Sequence, residues 1–449
     1  MKRAVAFVKF NLRCFSMILV SLSVAQANTP PSLLDLCVKV VRKEVLRKKE
    51  RDVCSDFDLV LEARKELESF KIPNELVRRI IDRGLQVAAG SQHSFYLTEN
   101  GKVYSFGKGS VGQLGHGDRE NQYSPKWIES LDLAASRVIQ IQAGYFHTLV
   151  LTDSGDVFTF GSGAEGQLGH GDLLSQFTPK LLSSEELDGH RVTQVAAGSF
   201  HSLLLTESGQ VFSFGLTLNG ALGYETPAHQ NHQSIPKQIE LEGLNGHRVT
   251  QVAAGSFHSL LLTDSGQVFS FGNGAQGQLG FEDSQNLPRW TPKRIESEAL
   301  EDQKVIQIAA GSFHSLLLTE SGQVFSFGDS SYGQLGLGET RDRDPWTPTR
   351  IESDLLRDEK VIQVVAGSFH SLLVTESGQV FAFGNGTYGQ LGNGNLQIQS
   401  IPQPIDPSKF NDSKITRAAA GLFHSLFLTE NGDLFSFGSS SDGQLGIGK

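Results

Sequence analysis

Along most of the chain apolar residues come in short runs of five or six, such as HSLLLT and QVFSFG, set between glycine-rich polar turns. Runs of that length, rich in Val, Leu and Phe and bounded by Gly and Ser, predict β-strands rather than helices. ESG, DSG or ENG joins each pair of runs. A Ser-Gly or Asn-Gly pair favours a tight hairpin, because glycine accepts positive φ. Ahead of each hairpin a segment such as RVTQVAAG (Arg191 to Gly198) predicts one more strand. Behind it, segments such as TPKRIE (Thr291 to Glu296) predict an edge strand led by proline, which cannot donate to a ladder. Four strands per unit predict a propeller blade.

The unit recurs. A pattern close to VTQVAAGSFHSLLLTESGQVFSFGxGxxGQLGxG appears seven times, with the glycine before its histidine at Gly90, Gly144, Gly198, Gly255, Gly311, Gly367 and Gly421, spaced by 54, 54, 57, 56, 56 and 54 residues. Seven copies at this period predict a solenoid or a closed ring, and the hairpin chemistry selects the ring. Each GxxH is followed by GQLG six times and once by Gly220-Ala221-Leu222-Gly223. The block around His258, AAGSFHSLLLTESGQVFSFGNGAQGQLG in its commonest form, resembles the repeat of the regulator of chromosome condensation (RCC1) family over about residues 84 to 449. That resemblance implies an all-β chain, a seven-bladed β-propeller of RCC1-type repeats.

Seven histidines, His93, His147, His201, His258, His314, His370 and His424, occupy one position of the repeat. Equivalent positions lie a blade apart, too far to share one ion at ligand distances of about 2 Å. The expected role of each is therefore a satisfied hydrogen bond within its own blade, and the phenylalanines before six of them are expected to pack. No nucleotide-binding glycine loop, zinc pattern or nucleophile motif is present, so no catalytic residue, metal or cofactor is expected. The founding members of the family exchange guanine nucleotide on a small GTPase, which implies an inserted wedge. The longest unit here exceeds the shortest by three residues, leaving no room for one. Light-sensing plant relatives rely on many tryptophans, whereas Trp127, Trp290 and Trp346 fall between the runs.

Charge narrows the partners. Residues 84–449 carry 22 Lys plus Arg against 38 Asp plus Glu. A surface that acidic repels a phosphate backbone and attracts a basic protein, so no direct DNA binding is expected. The most divergent loop, Leu216 to Gln233, is read either as an exposed Tyr and His cluster for partner contact or as a drifted linker.

The first 83 residues have another rhythm. Residues 1–27 combine Lys2, Arg3, Lys9 and Arg13 with an apolar run from Phe15 to Ala25 and small residues at Ala25 and Ala27, predicting a signal peptide cleaved before Asn28 and no stable membrane anchor thereafter. Only Cys37 and Cys54 follow it, so no disulfide framework is expected. Residues 28–83 predict a small helical segment: Leu33, Leu36, Cys37 and Val40 share one face, a second helix spans about 56–70, and a third follows Pro73. Ser32, Leu33, Cys37 and Val41 resemble the elongin-binding helix of the box that recruits cullin ubiquitin ligases (SOCS/VHL type), and Ile72, Pro73, Leu76 and Ile80 resemble its cullin-binding companion. The same stripe could cap the propeller, IPNELVRRI also resembles the start of an F-box, and residues 72–80 stand where a strand closing the last blade would come.

These readings predict a non-enzymatic binding protein, exported and delivered into a host cell, whose propeller captures a protein target while the amino-terminal helices recruit a host ubiquitin ligase. Two alternatives stay open: an exported stand-alone binder or inhibitor, and an exchange factor for a small GTPase.

Overall fold

The computed structural model describes residues 85–449, apart from 135, 184, 228, 282–287, 339–345 and 449. The predicted signal peptide, the helical segment and both ligase-box motifs lie outside the described residues. Within them the chain forms seven antiparallel sheets. The first contains β1 (Gln86–Ala89), β2 (His93–Leu97), β3 (Val103–Gly107) and β4 (Gln122–Trp127), side by side in that order. Five more sheets repeat the pattern, and the seventh has three strands among the described residues: Ile415–Ala420, His424–Thr429 and Leu434–Gly438. One short helix, α1 (Leu131–Ala134), and a few single 3₁₀ turns sit between strands.

Each strand position has its own composition because each meets a different environment. The first strand of every blade lines a central channel with small residues and, in all but the seventh, glutamine. Second strands, and the third strands of the second to sixth blades, are buried almost throughout. His201–Thr206 and its hairpin partner Val211–Leu216 are buried almost throughout, which explains why they read as continuous apolar runs rather than alternating ones. Fourth strands, such as Arg289–Arg294, form the exposed rim and carry the proline that a central strand would not tolerate.

The hairpin keeps one register in every blade, pairing His201 with Gly215 and Leu203 with Ser213. Gly215 has φ 124°, and a Cβ there would stand 2.3 Å from the Phe200 carbonyl oxygen and 2.6 Å from His201 Cα. The glycine closing each SFG is therefore fixed by the histidine opposite it. Packing is strongest between blades. Leu203, Leu205 and Val211 of the third interlock with Val252, Leu261, Phe269 and Phe271 of the fourth, all at most 3% exposed.

Candidate functional site

The repeat histidines form a ring of couplings between blades. His147 Nε2 lies 2.9 Å from Ser202 Oγ of the next blade. The same contact recurs at 2.8–2.9 Å from His201 to Ser259, His258 to Ser315, His314 to Ser371 and His370 to Ser425. It closes the circle from His424 to Ser94 at 2.9 Å, and only His93 to Thr148 is longer, at 3.4 Å. The expectation of a bond within each blade is thus corrected. The hydroxyl belongs to the residue after the histidine, but in the following repeat, a pairing that a period of about 56 residues hides.

The hydroxyl fixes the tautomer. Ser202 Oγ donates to the Gln167 carbonyl oxygen at 2.8 Å, which uses its one proton, so it accepts from His147 Nε2–H. Nδ1 then carries a lone pair, and on His93, His147, His258, His314, His370 and His424 that nitrogen has no hydrogen-bond partner. Complete burial disfavours the imidazolium and pulls all seven pKa values from 6.5 down to about 3 or about 4. The ring is neutral at physiological pH. Among the described residues no group of three or more His, Cys, Asp or Glu side chains could hold a metal ion.

A second inter-blade clamp escaped the sequence reading. Gln251 accepts from the Ile308 N–H at 3.0 Å and donates to the Ile308 carbonyl at 3.4 Å, tying the first strands of adjacent blades together. Gln140, Gln307 and Gln363 make the same two-way contact with Val195, Val364 and Ala418. The signal was available, since a glutamine three residues ahead of the AG dipeptide recurs in every repeat but the last. There Arg417 stands instead, and a guanidinium has donors only.

The loop face of the ring surrounds the channel, an opening of about 370 Å³. Here the repeat phenylalanines pack as expected, yet stay half-buried at the surface. Phe200 stacks on Phe257 at 5.8 Å and on Tyr145 at 6.2 Å, and Phe369 stacks on Phe423 at 6.1 Å. Tyr332 and Tyr388 extend this crown over Phe369 and Phe423 at 5.2 and 4.5 Å. In the first blade Gln92 takes the aromatic position, bonded to Asp442 and Lys108. Of the expected Tyr and His cluster in the divergent loop, His229 is exposed and His232 half-buried. Tyr224 is half-buried, donates to the Ser213 carbonyl and lies beneath Lys237 Nζ at 4.2 Å. It fills the place that His116 and His170 occupy in the first two blades, against Ser105 and Thr159.

A closed seven-bladed ring of tandem repeats, with rigid buried couplings and variable loops at one mouth, defines a β-propeller whose accessible chemistry sits on its loop face. The chain belongs to the RCC1 family: the RCC1-like domain matches residues 174–449, and the RCC1 repeat matches residues 100–151, 85–113 and 138–167. It is 34% identical over 367 residues to the ultraviolet-B receptor UVR8 of Arabidopsis thaliana, covering 81% of this chain and 79% of that protein. It is 38% identical over 348 residues to the human E3 ubiquitin-protein ligase HERC2, covering 77% of this chain but only 7% of HERC2. Among solved structures, yeast RCC1 (Prp20) bound to Kap60 superposes with a TM-score of 0.68 at 25% identity, covering 80% of this chain and 81% of that one. The human protein WBSCR16 gives 0.67 at 27%, covering 78% and 87%.

Proposed function

We propose that this chain is a non-enzymatic protein-interaction module whose propeller holds a target protein on its loop face. The observation that carries this reading is the half-exposed aromatic crown on a ring otherwise sealed by buried clamps. Relatives support it in kind: the yeast protein of this fold is described in complex with Kap60 and by its binding to Gsp1p and histones. The test is affinity capture with the full chain, followed by titration of each purified candidate. A saturable complex of fixed stoichiometry supports the module, and failure of every candidate to bind in purified form sinks it.

In its finer form the proposal assigns residues 28–83 to recruitment of a host cullin ligase, through Ser32, Leu33, Cys37 and Val41 for elongin and Ile72, Pro73, Leu76 and Ile80 for cullin. The sequence motifs, in family order, support this. Co-elution of the full chain with elongin B and C, abolished by Leu33→Asp, is the expected result; no co-elution leaves a stand-alone binder or inhibitor. Export through residues 1–27 predicts a mature protein beginning at Asn28, which amino-terminal sequencing of the secreted form checks. The likeness to yeast RCC1, whose solved structure is described with Gsp1p binding, favours a second reading as a nucleotide exchange factor. Unchanged nucleotide release across a panel of small GTPases removes it.

A further inference from the structure

The aromatic crown on the loop face is broken at one blade. Gln92 of the first blade interrupts it, held by Asp442 of the adjoining seventh blade and by Lys108. From that break back through the seventh, sixth and fifth blades, Tyr332, Phe369, Tyr388 and Phe423 form one continuous aromatic patch, with Tyr332 37% and Tyr388 52% exposed. Tyrosines half out of water are rigid and amphipathic, the composition of binding hot spots. Their substitution carries little fold cost, because their ring contacts lie at the surface.

The surrounding charge points to the occupant. Carboxylates on the described loops of this face, among them Glu120, Glu165, Asp329 and Asp442, outnumber the cations Lys108 and Arg119, and the guanidinium of Arg119 already lies 5.0 Å over Phe177. Arg417 is a further cation, set in the channel wall below Gly421. The protein's own rim shows what its aromatic faces accept: Lys237 sits over Tyr224 at 4.2 Å and Lys293 over Phe281 at 4.8 Å. Among the described residues no lysine or arginine of the chain lies over Phe369, Tyr388 or Phe423. A cation over an aromatic face, near carboxylates, is favoured by both the ring quadrupole and the acidic field.

Building on the interaction-module reading, we propose that the Tyr332–Phe369–Tyr388–Phe423 patch is the docking surface for a basic segment of a protein partner, one in which arginine or lysine stands beside an apolar side chain. The apolar group packs on the stacked rings and the cation lies over a tyrosine face toward Asp329. A second copy of this chain is a poorer occupant, since two acidic faces repel.

The probe is a fluorescein-labelled peptide of about twelve residues alternating arginine and leucine, with a glutamate–leucine peptide of equal length as its control, titrated against the full chain by anisotropy. Saturable binding of the basic peptide alone is expected, weakened about tenfold or more in Tyr332→Ala/Tyr388→Ala and unchanged in Leu355→Ala, which removes an exposed apolar side chain at a turn on the opposite face. Tyr388→Lys, which adds a like charge without truncating the chain's core, weakens it as well. Equal binding to wild type and both tyrosine variants overturns this surface while leaving the interaction module standing. Absence of basic-peptide binding, or equal binding of the acidic peptide, overturns the basic partner; the module itself is judged separately by titration of captured proteins.

Discussion

Between the third and fourth blades ten buried apolar side chains form one cluster, whereas between the seventh and the first the described residues contribute five: Val87, Phe106, Ala419, Leu426 and Leu428. The outermost described strand of the seventh blade, Leu434–Gly438, is half-buried throughout, while its counterpart Val268–Gly272 is fully buried. Arg417 replaces the clamping glutamine at the same junction. Yet His424 meets Ser94 at 2.9 Å, the distance found at most of the in-line interfaces. The difference separates two jobs. Apolar contact supplies most of the energy but tolerates variation, being non-directional. The histidine–hydroxyl bond is directional and buried, so it sets the register in which one repeat meets the next and is kept even where the described residues supply a smaller apolar cluster.

Acid should break all seven junctions together and gives the largest effect. Above about pH 6.5 the histidines are neutral in both folded and unfolded chains. As pH falls below that value the unfolded chain takes up protons that the folded ring refuses until about pH 3 to 4, so stability is lost on the way down. At pH 5 each histidine costs up to about 2 kcal/mol, and seven approach the whole stability of an ordinary domain, about 5–15 kcal/mol. Denaturant midpoints measured from pH 7.5 to pH 4 should fall steeply below 6.5. A flat profile to pH 4.5 would show that the buried histidines do not stay neutral at this cost.

Filling the space beside a histidine tests whether the seam is the weaker junction. A Cβ on Gly255 would stand 2.4 Å from His258 Cε1 and 2.4 Å from the Gly311 carbonyl, and on Gly421 2.3 Å from His424 Cε1 and 2.3 Å from the Gly90 carbonyl. Each alanine variant should lose about 1–3 kcal/mol or more. Gly421→Ala should also speed amide exchange selectively in Gln86–Ala89 and Leu434–Gly438, whereas Gly255→Ala should not. Identical exchange maps would mean that the junctions yield together.

The propeller was legible because repetition multiplies a weak signal: one HSLLLT run is ambiguous, but seven hairpins at a constant period are not. The histidines were legible as structural and their partners were not, since the bonding serine sits in the next repeat and nothing within a single unit points to it. The glutamine clamp was overlooked for a related reason. Gln251 looks like one polar position on an alternating strand, and its meaning appears only when the neighbouring first strand brings Ile308 alongside. The aromatic crown stayed hidden because a phenylalanine before a buried histidine reads as core, whereas Phe257, at the bend between the first and second strands, stays half-buried and stacks on Phe200 of the preceding blade.

A smaller break removes the clamp at an in-line junction. Gln251→Met preserves length and apolar stem but leaves the N–H and carbonyl of the buried Ile308 without their side-chain partner, a loss of about 1–3 kcal/mol. The melting temperature should fall by several degrees while peptide binding at the distant tyrosines is retained. No change in melting would show that the clamp contributes nothing beyond what water supplies.

The converse substitution sharpens the comparison by repairing the seam. Gln363 shows what the first strand of a preceding blade does when the residue is an amide: it accepts from Ala418 N–H at 3.1 Å and donates to Ala418 oxygen at 3.2 Å. By the same repeat register Arg417 faces Val87 of the first blade, and no rotamer of a guanidinium accepts a backbone N–H. Arg417→Gln should therefore add one acceptor at the junction where the described residues contribute five buried apolar side chains, stabilising by about 0.5–1.5 kcal/mol. A chain of this size responds by only a degree or two, since about 1 kcal/mol shifts even a domain of about 150–250 residues by about 2–4 °C. The same substitution in a Gln363→Arg background should recover less than it gives alone if the first strands act as one coupled ring, and an equal gain in both backgrounds would show that each clamp acts independently. A fall in melting temperature on Arg417→Gln would instead mean that the arginine makes stronger contacts than the amide it replaces.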